Sequence, residues 1–163
     1  MDIKPGDNVT SPVDRSELIY ETLSAISVLQ QLLTSRTSQL VGSELPVPQF
    51  AMLNYFHRMD CELTVTDLAH AFQSPQPGIT KTVQKLLAKK FLVASADAGD
   101  RRRKILQITH AGREAHRSAV QKLAPDAFAL FEEWTFDEML SFSRQVERLK
   151  DWVSANRDTP LHD

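Results

Sequence analysis

The sequence predicts a mainly α-helical fold with one small β-hairpin, and two observations predict it. Apolar residues recur at intervals of three and four along most of the chain, which is typical of helices that bury one face. Two short runs, FLVAS at 91–95 and KILQIT at 104–109, instead flank a charged turn and have the composition of strands. Two strands alone are only marginally stable, so the hairpin has to pack on the helices before it.

Composition limits the class of protein. The 163 residues suit one compact domain with added association helices, and 42% hydrophobic and 25% charged residues exclude general disorder. The single cysteine, Cys61, cannot form an intramolecular disulfide and favours a reducing compartment. Residues 1–13 lack the features of a secretion signal, and no run approaches the roughly 20 apolar residues of a membrane span. We therefore expect a cytoplasmic protein.

The formal net charge of −2 conceals an uneven distribution. Residues 72–117 hold ten lysine and arginine residues against three acidic ones, a net charge of +7, whereas the rest of the chain carries −9. Salt screens exposed charges over about 10 Å, so the local charge decides what binds. The basic segment can bind a polyanion while the acidic flanks keep the protein in solution.

Two helices are predicted before the basic segment. The first runs from Asp14 to about Val41 with an apolar stripe that is wide for a surface helix. The second opens at Pro48, because proline suits a first helical turn, and ends at the polar break HRMDCE.

Two short helices follow, joined by the tight link SPQ. Thr66 is the predicted N-cap of DLAHAF, and Asp67 complements the helix dipole. The next helix begins near Pro77 and runs to about Lys89. This pair predicts a helix-turn-helix, to which the hairpin is an appendage. The apolar face of its second helix comprises Ile79, Val83, Leu86 and Leu87.

The remaining chain predicts two more helices. Thr109 is the predicted N-cap of the first, in which Pro125 predicts a break or kink. Thr135 and Glu138 have the spacing of a capping box and start the last helix. The last helix has a regular apolar seam of Met139, Phe142, Val146, Leu149 and Val153.

The helix from Pro77 is the predicted recognition helix. Residues advance by about 100° along a helix, so Lys81, Gln84 and Lys85 project opposite the apolar face. Lysine can contact phosphate or guanine, and glutamine can contact adenine. Gly78 allows the backbone to approach a partner, and Gln76 and Thr80 lie at the end that enters a groove. The predicted DNA-binding set on this helix is Gln76, Gly78, Thr80, Lys81, Gln84 and Lys85.

Each of these features has an ordinary explanation when taken alone. A helix with a lysine face is usually only solvated, and so, often, is an arginine-rich turn. The combination of a short helix, a polar-faced helix and a basic hairpin tip, in that order, favours nucleic-acid binding.

The same stretches resemble the winged helix-turn-helix of the MarR family of bacterial transcriptional regulators. TDLAHAF is followed by QPGITKTVQKLLAKK and then by DAGDRRRKILQITHAGREA, and the helix order matches along roughly residues 14–156. The last stretch fits the family's wing pattern through Asp100, Arg102, Ile108, Thr109 and Gly112.

The resemblance implies a homodimer that places one helix of each subunit in a major groove of double-stranded DNA and a wing arginine in the minor groove. By position, Arg102 is that arginine and Asp100 orients it, while Arg101, Arg103 and Lys104 contact the DNA backbone. Such a protein binds a pseudo-palindromic operator, and we expect a repressor released by a small aromatic or anionic effector. No cofactor and no metal are expected.

Three positions depart from the family pattern. Pro75 stands where Ser or Thr is common, so either Ser74 supplies the helix cap or the entry angle differs. Gly78 replaces a residue with a base-facing side chain. Lys90 replaces a glycine, so a non-glycine residue has to adopt a left-handed conformation or the helix ends differently. These changes bear on target specificity.

The expected organisation places association helices at both ends of the basic lobe, because these helices carry more apolar surface than the short central ones can cover. Trp134, Phe136, Phe142 and Trp152 add to this surface. The predicted segments are a flexible tail at 1–13, an N-terminal dimerisation helix at 14–45, the winged lobe at 46–109, C-terminal dimerisation helices at 110–156 and a flexible tail at 157–163.

The effector site is unknown from the sequence, although Tyr20, His57, His70 and Arg113 are conceivable contributors. One alternative function is a winged-helix protein-interaction module that does not bind DNA. Another is a redox-sensing regulator that uses Cys61. An enzyme is not expected, because the sequence has no phosphate-binding glycine loop, no nucleophile elbow and no zinc-protease motif.

Overall fold

The computed structural model describes residues 14–96, 99 and 103–156, and its element order is the one that the sequence predicts. The two strands are antiparallel, with Leu92 opposite Ile108 and Ala96 opposite Lys104. The tails, Asp100, Arg101 and Arg102 lie outside the described residues. The elements are α1 (Arg15–Val41), α2 (Val47–Met59), α3 (Val65–Ala71), α4 (Gln76–Ala88), β1 (Leu92–Ala96), β2 (Lys104–Ile108), α5 (His110–Leu130) and α6 (Phe136–Ala155).

The described residues form two units, the first ending at Lys122 and the second beginning at Leu123. The first contains α1 to α4, the hairpin and most of α5. The second contains the end of α5 and all of α6. Within the described part of the chain, no helix is long and apolar enough to cross a membrane.

Helix α1 begins at a side-chain cap and leaves nearly all of its apolar side chains in contact with solvent. The Asp14 carboxylate accepts a hydrogen bond from the Ser16 amide at 3.2 Å. Among the residues of α1, all of them described, Val41 is the buried one. The exposed apolar side chains include Leu18, Ile19, Leu23, Ile26, Leu29, Leu32 and Leu33.

Helix α3 starts earlier than the sequence predicts, and the prediction that Thr66 is its cap is wrong. Thr64 is the N-cap: its hydroxyl accepts from the Asp67 amide at 3.2 Å, and the Asp67 carboxylate accepts from the Thr64 amide at 2.8 Å. This reciprocal capping box requires residues three apart, which Thr66 and Asp67 are not. The Thr64 amide and hydroxyl both donate to the Asp67 carboxylate, at 2.8 and 2.7 Å, and these two hydrogen bonds are the main reason that the pKa of Asp67 is lowered.

Helix α4 begins without a side-chain cap. Pro75 occupies the N-cap position and Pro77 lies in the first turn. Backbone amides in the first turn have no acceptor within the helix, so the missing N–H of proline costs no hydrogen bond there. Ser74 does not supply a cap, because its hydroxyl donates to the Phe72 carbonyl at 3.0 Å. After the helix, Lys90 adopts the left-handed conformation that the sequence raised as one possibility, with a φ of 59°.

The core of the first unit lies between the short helices and the hairpin. Leu63 in the α2–α3 link exchanges two backbone hydrogen bonds with Leu106 of β2, at 2.8 and 3.2 Å, so the two-stranded wing gains a single bridge from a third segment. The largest fully buried side chains come from α2, α3, α4 and β2. They are Met52, Leu53, Phe56, Leu68, Leu86 and Leu106.

The start of α5 is hydrogen-bonded to the residues just before β1. The Thr109 hydroxyl donates to the Lys90 carbonyl at 2.8 Å and accepts from the Gly112 amide at 3.0 Å, which confirms its capping role. Gly112 lies so close to β1 that an added Cβ would be 2.2 Å from the Phe91 carbonyl oxygen and 2.9 Å from Ile108 Cγ1. A glycine is therefore required three residues after the threonine.

A buried histidine connects α2 and α5. His116 is 5% exposed, its ring stacks on Phe50 and packs against His57 at 4.5 Å between centroids, and its Nε2 lies 3.0 Å from Asn54 Oδ1. Burial, and to a lesser extent the charge of His57, lower the pKa of His116. The folded protein therefore favours neutral His116.

The sequence predicts a break or a kink at Pro125. Helix α5 is not broken there, since it continues to Leu130. The capping box of α6 is confirmed, since the Glu138 carboxylate accepts from the Thr135 amide at 2.8 Å. No residue of α6, all of which the structure describes, is buried. Trp134 makes edge-to-face contacts with Phe131 and Phe142 within the second unit.

Replacement of Gly112 by alanine should destabilise the protein, because the new methyl group has to displace backbone at Phe91. We expect a loss of about 1–3 kcal/mol in the free energy of unfolding, measured by urea denaturation. Gly78→Ala is the matched control: nothing lies within 4 Å of its added Cβ, and it should stabilise α4 by about 0.5–1 kcal/mol. Equal effects of the two substitutions would contradict the close approach at Gly112.

Acidification should destabilise the protein through His116. The unfolded chain binds a proton at this residue near pH 6.5, whereas the folded chain binds it only at lower pH, so stability falls as pH drops below about 6.5. Urea denaturation between pH 8 and 5 measures this fall. His116→Gln should reduce it, and His110→Gln, at an exposed position of the same helix, should not. A wild-type free energy of unfolding that rises on acidification would contradict the conclusion that the folded protein favours neutral His116.

Candidate nucleic-acid interface

The outer face of α4 is the largest part of the candidate interface that the structure describes. Ile79, Val83 and Leu86 are buried in the core, as the sequence predicts. Their burial fixes the rotation of the helix about its axis. Lys81, Gln84 and Lys85 consequently lie on the exposed side, where their amine and amide groups reach solvent. We call this exposed side, together with Gln76 and Gly78, the recognition face.

The first turns of α4 present backbone as well as side chains. Gln76 and Gly78 are exposed, and nothing lies within 4 Å of the position that a Cβ on Gly78 would take. Thr80 is only half-buried, and its hydroxyl donates to the Gln76 carbonyl at 2.8 Å. Its hydroxyl oxygen can still accept a hydrogen bond, but its proton is committed to the helix.

The base of the wing lies beside the start of α3. A groove of about 640 Å³ is lined by residues of both elements, and the Arg103 guanidinium contributes to the lowered pKa of Asp67 across it. Arg103 and Lys104 are exposed. The cationic base of the hairpin and the helix-turn-helix are therefore neighbours in one unit. The groove is lined by Thr64, Val65, Thr66, Asp67, Arg103 and Lys104.

Asp100, Arg101 and Arg102 lie outside the described residues, so the minor-groove role of Arg102 and the orienting role of Asp100 stay predictions. The link before α3 supports the strand that leads to the tip: the Gln107 amide donates to the Glu62 carboxylate.

Lys89 has internal partners that the sequence does not reveal. The Lys89 ammonium donates to Gln49 Oε1 at 2.9 Å and to the Glu44 carbonyl. Sequence spacing counts Lys89 with the other lysines of α4. Gln49 is buried in the first turn of α2, so its side chain needs a polar partner there, but this burial is visible only in the structure.

The four conceivable effector contacts lie on four different helices, α1, α2, α3 and α5. Arg113 pairs with Asp60 at 2.5 Å, and His57 packs against His116. Tyr20 and His70 are exposed on α1 and α3. Cys61 is exposed, and among the described residues no group of three or more His, Cys, Asp or Glu side chains could hold a metal ion.

Comparison with known proteins agrees with this geometry. The family model described as "MarR family" matches residues 43–103, which span α2, the helix-turn-helix and β1 and end just before β2. No curated protein matches the sequence.

Solved structures share the fold at low sequence identity. The transcriptional regulator BldR from Sulfolobus solfataricus is 20% identical with a TM-score of 0.71, covering 83% of this chain and 98% of its own. MepR from S. aureus, in complex with DNA, is 18% identical with a TM-score of 0.66, covering 88% and 99%. BpsR from Bordetella bronchiseptica, whose DNA binding is regulated by 6-hydroxynicotinic acid, is 21% identical with a TM-score of 0.67, covering 78% and 91%. The predicted winged helix-turn-helix fold is thereby confirmed.

Proposed function

We propose that the chain is a homodimeric transcriptional regulator that binds a specific site in double-stranded DNA, and the match of the MarR family model to residues 43–103 supports this proposal. The observation that carries the proposal is the recognition face of α4, which a buried apolar face holds outward. An α-helix fits the major groove, where each base pair displays a distinct set of donors and acceptors.

The roles proposed for the recognition face follow from its chemistry. Gln84 can form two hydrogen bonds to adenine, and Lys81 and Lys85 can pair with guanine or phosphate. Gly78 allows the backbone of the first turn to approach the DNA, and Gln76 and Thr80 lie at this entering end. Because Gly78 offers no side chain to a base, specificity rests on the later turns.

The proposed wing contacts divide into two kinds. Arg102 enters the minor groove, since arginine is drawn to the negative potential of narrow A·T-rich stretches, and Asp100 orients it. Arg101, Arg103 and Lys104 neutralise phosphates and fix the register of the lobe on the duplex. The exposure of Arg103 and Lys104 supports this division.

A second subunit is proposed because the exposed apolar surface of the helices needs a cover. Helix α1 exposes at least seven large apolar side chains, and α6 exposes Phe142, Val146, Leu149 and Trp152, among others. Many large apolar side chains exposed on one helix indicate a surface that another chain covers. A two-fold pair would set two recognition helices about 34–36 Å apart, one turn of DNA, and so requires a pseudo-palindromic site.

The proposed regulation is release of a bound repressor by a small aromatic or anionic effector. The regulation of BpsR by 6-hydroxynicotinic acid supports this class of compound. An effector acts by binding one arrangement of the dimer more tightly than the other.

Arg102→Ala should weaken DNA binding strongly, because it removes both a minor-groove contact and a charge. Gel shifts on upstream genomic DNA should show affinity falling steeply with salt. The logarithm of the association constant should fall linearly with the logarithm of the salt concentration, by about 0.9 for each neutralised phosphate. Lys150→Ala also removes one positive charge, but from α6, and should leave the affinity for DNA unchanged. Binding that does not respond to salt, or an Arg102→Ala protein that binds normally, would refute the interface.

Small aromatic carboxylates titrated into the preformed complex should release a fluorescently labelled duplex, with a fall in anisotropy that saturates. Sodium chloride added to the same ionic strength controls for the effect of salt. A complex that none of the aromatic acids dissociates would contradict the proposed class of effector.

A further inference from the structure

Lys89 differs from the other lysines of the recognition helix in where its charge is placed. Lys81 and Lys85 are exposed, whereas Lys89, at the C-cap, is half-buried. Its ammonium donates to Gln49 Oε1 at 2.9 Å and to the carbonyl oxygen of Glu44. An ammonium has three donors, so these two bonds commit most of its hydrogen-bonding capacity to the protein.

The two acceptors belong to the segment that leads from α1 into α2. Glu44 lies in the turn after α1, and Gln49 lies in the first turn of α2 with only 4% of its surface exposed. Leu45, between them, is buried as well. Lys89 therefore joins the C-terminal end of α4 to the segment at which the long helix α1 ends.

The position of Lys89 also suits the end of a helix. Its cation lies where the α4 dipole is negative, which favours the charge. Lys90 then turns the chain into β1 with a left-handed φ of 59°. The contact at Lys89 thus fixes the C-cap of the helix just before the chain changes direction.

We propose that Lys89 is a positioning residue for DNA recognition: it holds the end of α4 against the α1–α2 segment and so sets the pose of the recognition face relative to α1, without touching DNA. The inference rests on the proposed DNA-binding function. Removing Lys89 leaves the buried Gln49 oxygen without this donor and frees the end of α4 to shift.

The salt dependence of binding separates positioning from phosphate contact. Lys89→Met keeps the length of the side chain and loses the ammonium; it should reduce affinity for the operator about tenfold with an unchanged salt slope. Lys85→Met, at an exposed position of the same helix, should reduce both affinity and the slope, the latter by about 0.9. If Lys89→Met lowers the slope as Lys85→Met does, or binds as tightly as the wild type, the proposal is overturned.

A spacing series distinguishes positioning from a general loss of stability. The wild type should prefer operators whose half-sites are one helical turn apart over operators lengthened or shortened by one base pair. Lys89→Met should lose much of this preference, because the recognition face is no longer held in one pose. If the preference stays as in the wild type while every affinity falls equally, the proposal is wrong.

A double-mutant cycle tests the contact without DNA and therefore separates this inference from the proposed function. Gln49→Met removes the side-chain acceptor and leaves every cation in place. In urea denaturation, Lys89→Met and Gln49→Met should each lower the free energy of unfolding. The double variant should be no less stable than the less stable of the two single variants. Additive losses would overturn the contact and with it the positioning role. A wild-type protein that fails to bind DNA would overturn the proposed function, whatever the cycle shows about the contact.

Discussion

Burial of one side of α4 is the constraint on which the rest of the structure depends. Ile79, Val83 and Leu86 are buried and α4 packs against α2, α3 and β1, so a rotation of the helix would expose these side chains to water. Burying a side chain of this size is worth about 1.5–3 kcal/mol, far more than any exposed lysine contributes. The apolar side therefore decides where the polar side points, and the recognition face is set before a ligand arrives.

The cations of the basic segment serve different purposes although the sequence presents them together. Lys81 and Lys85 reach solvent, Arg103 and Lys104 flank a groove beside α3, and Lys89 is bonded inside the protein. A count of charge cannot make this distinction, because it depends on which acceptors the fold brings near each ammonium or guanidinium. The family match over residues 43–103 covers four of these five positions and ends one residue before Lys104.

Much of the fold could be predicted because its signals are local. Helix periodicity, the capping box at Thr135 and the composition of the strands each depend on residues a few positions apart, and the structure confirms them. The cap of α3 was predicted two residues late, because Thr64 and Thr66 are chemically equivalent and only the reciprocal bond with Asp67 separates them.

Features that depend on long-range contacts could not be predicted. His116 had no distinguishing pattern in the sequence; its importance comes from Phe50 and Asn54, more than sixty positions earlier. Gly112 belonged to the wing pattern, but the reason for it is the carbonyl of Phe91. The partners of Lys89 likewise lie 40 and 45 residues away.

Selection of bound fragments from random duplex DNA by the purified chain tests the central claim most directly, since binding, symmetry and spacing are read together. A recognition face on each of two paired subunits should enrich inverted repeats whose half-sites lie about 10 base pairs apart, centre to centre. Recovery of fragments that share no sequence, or of single unrepeated sites, would contradict the account.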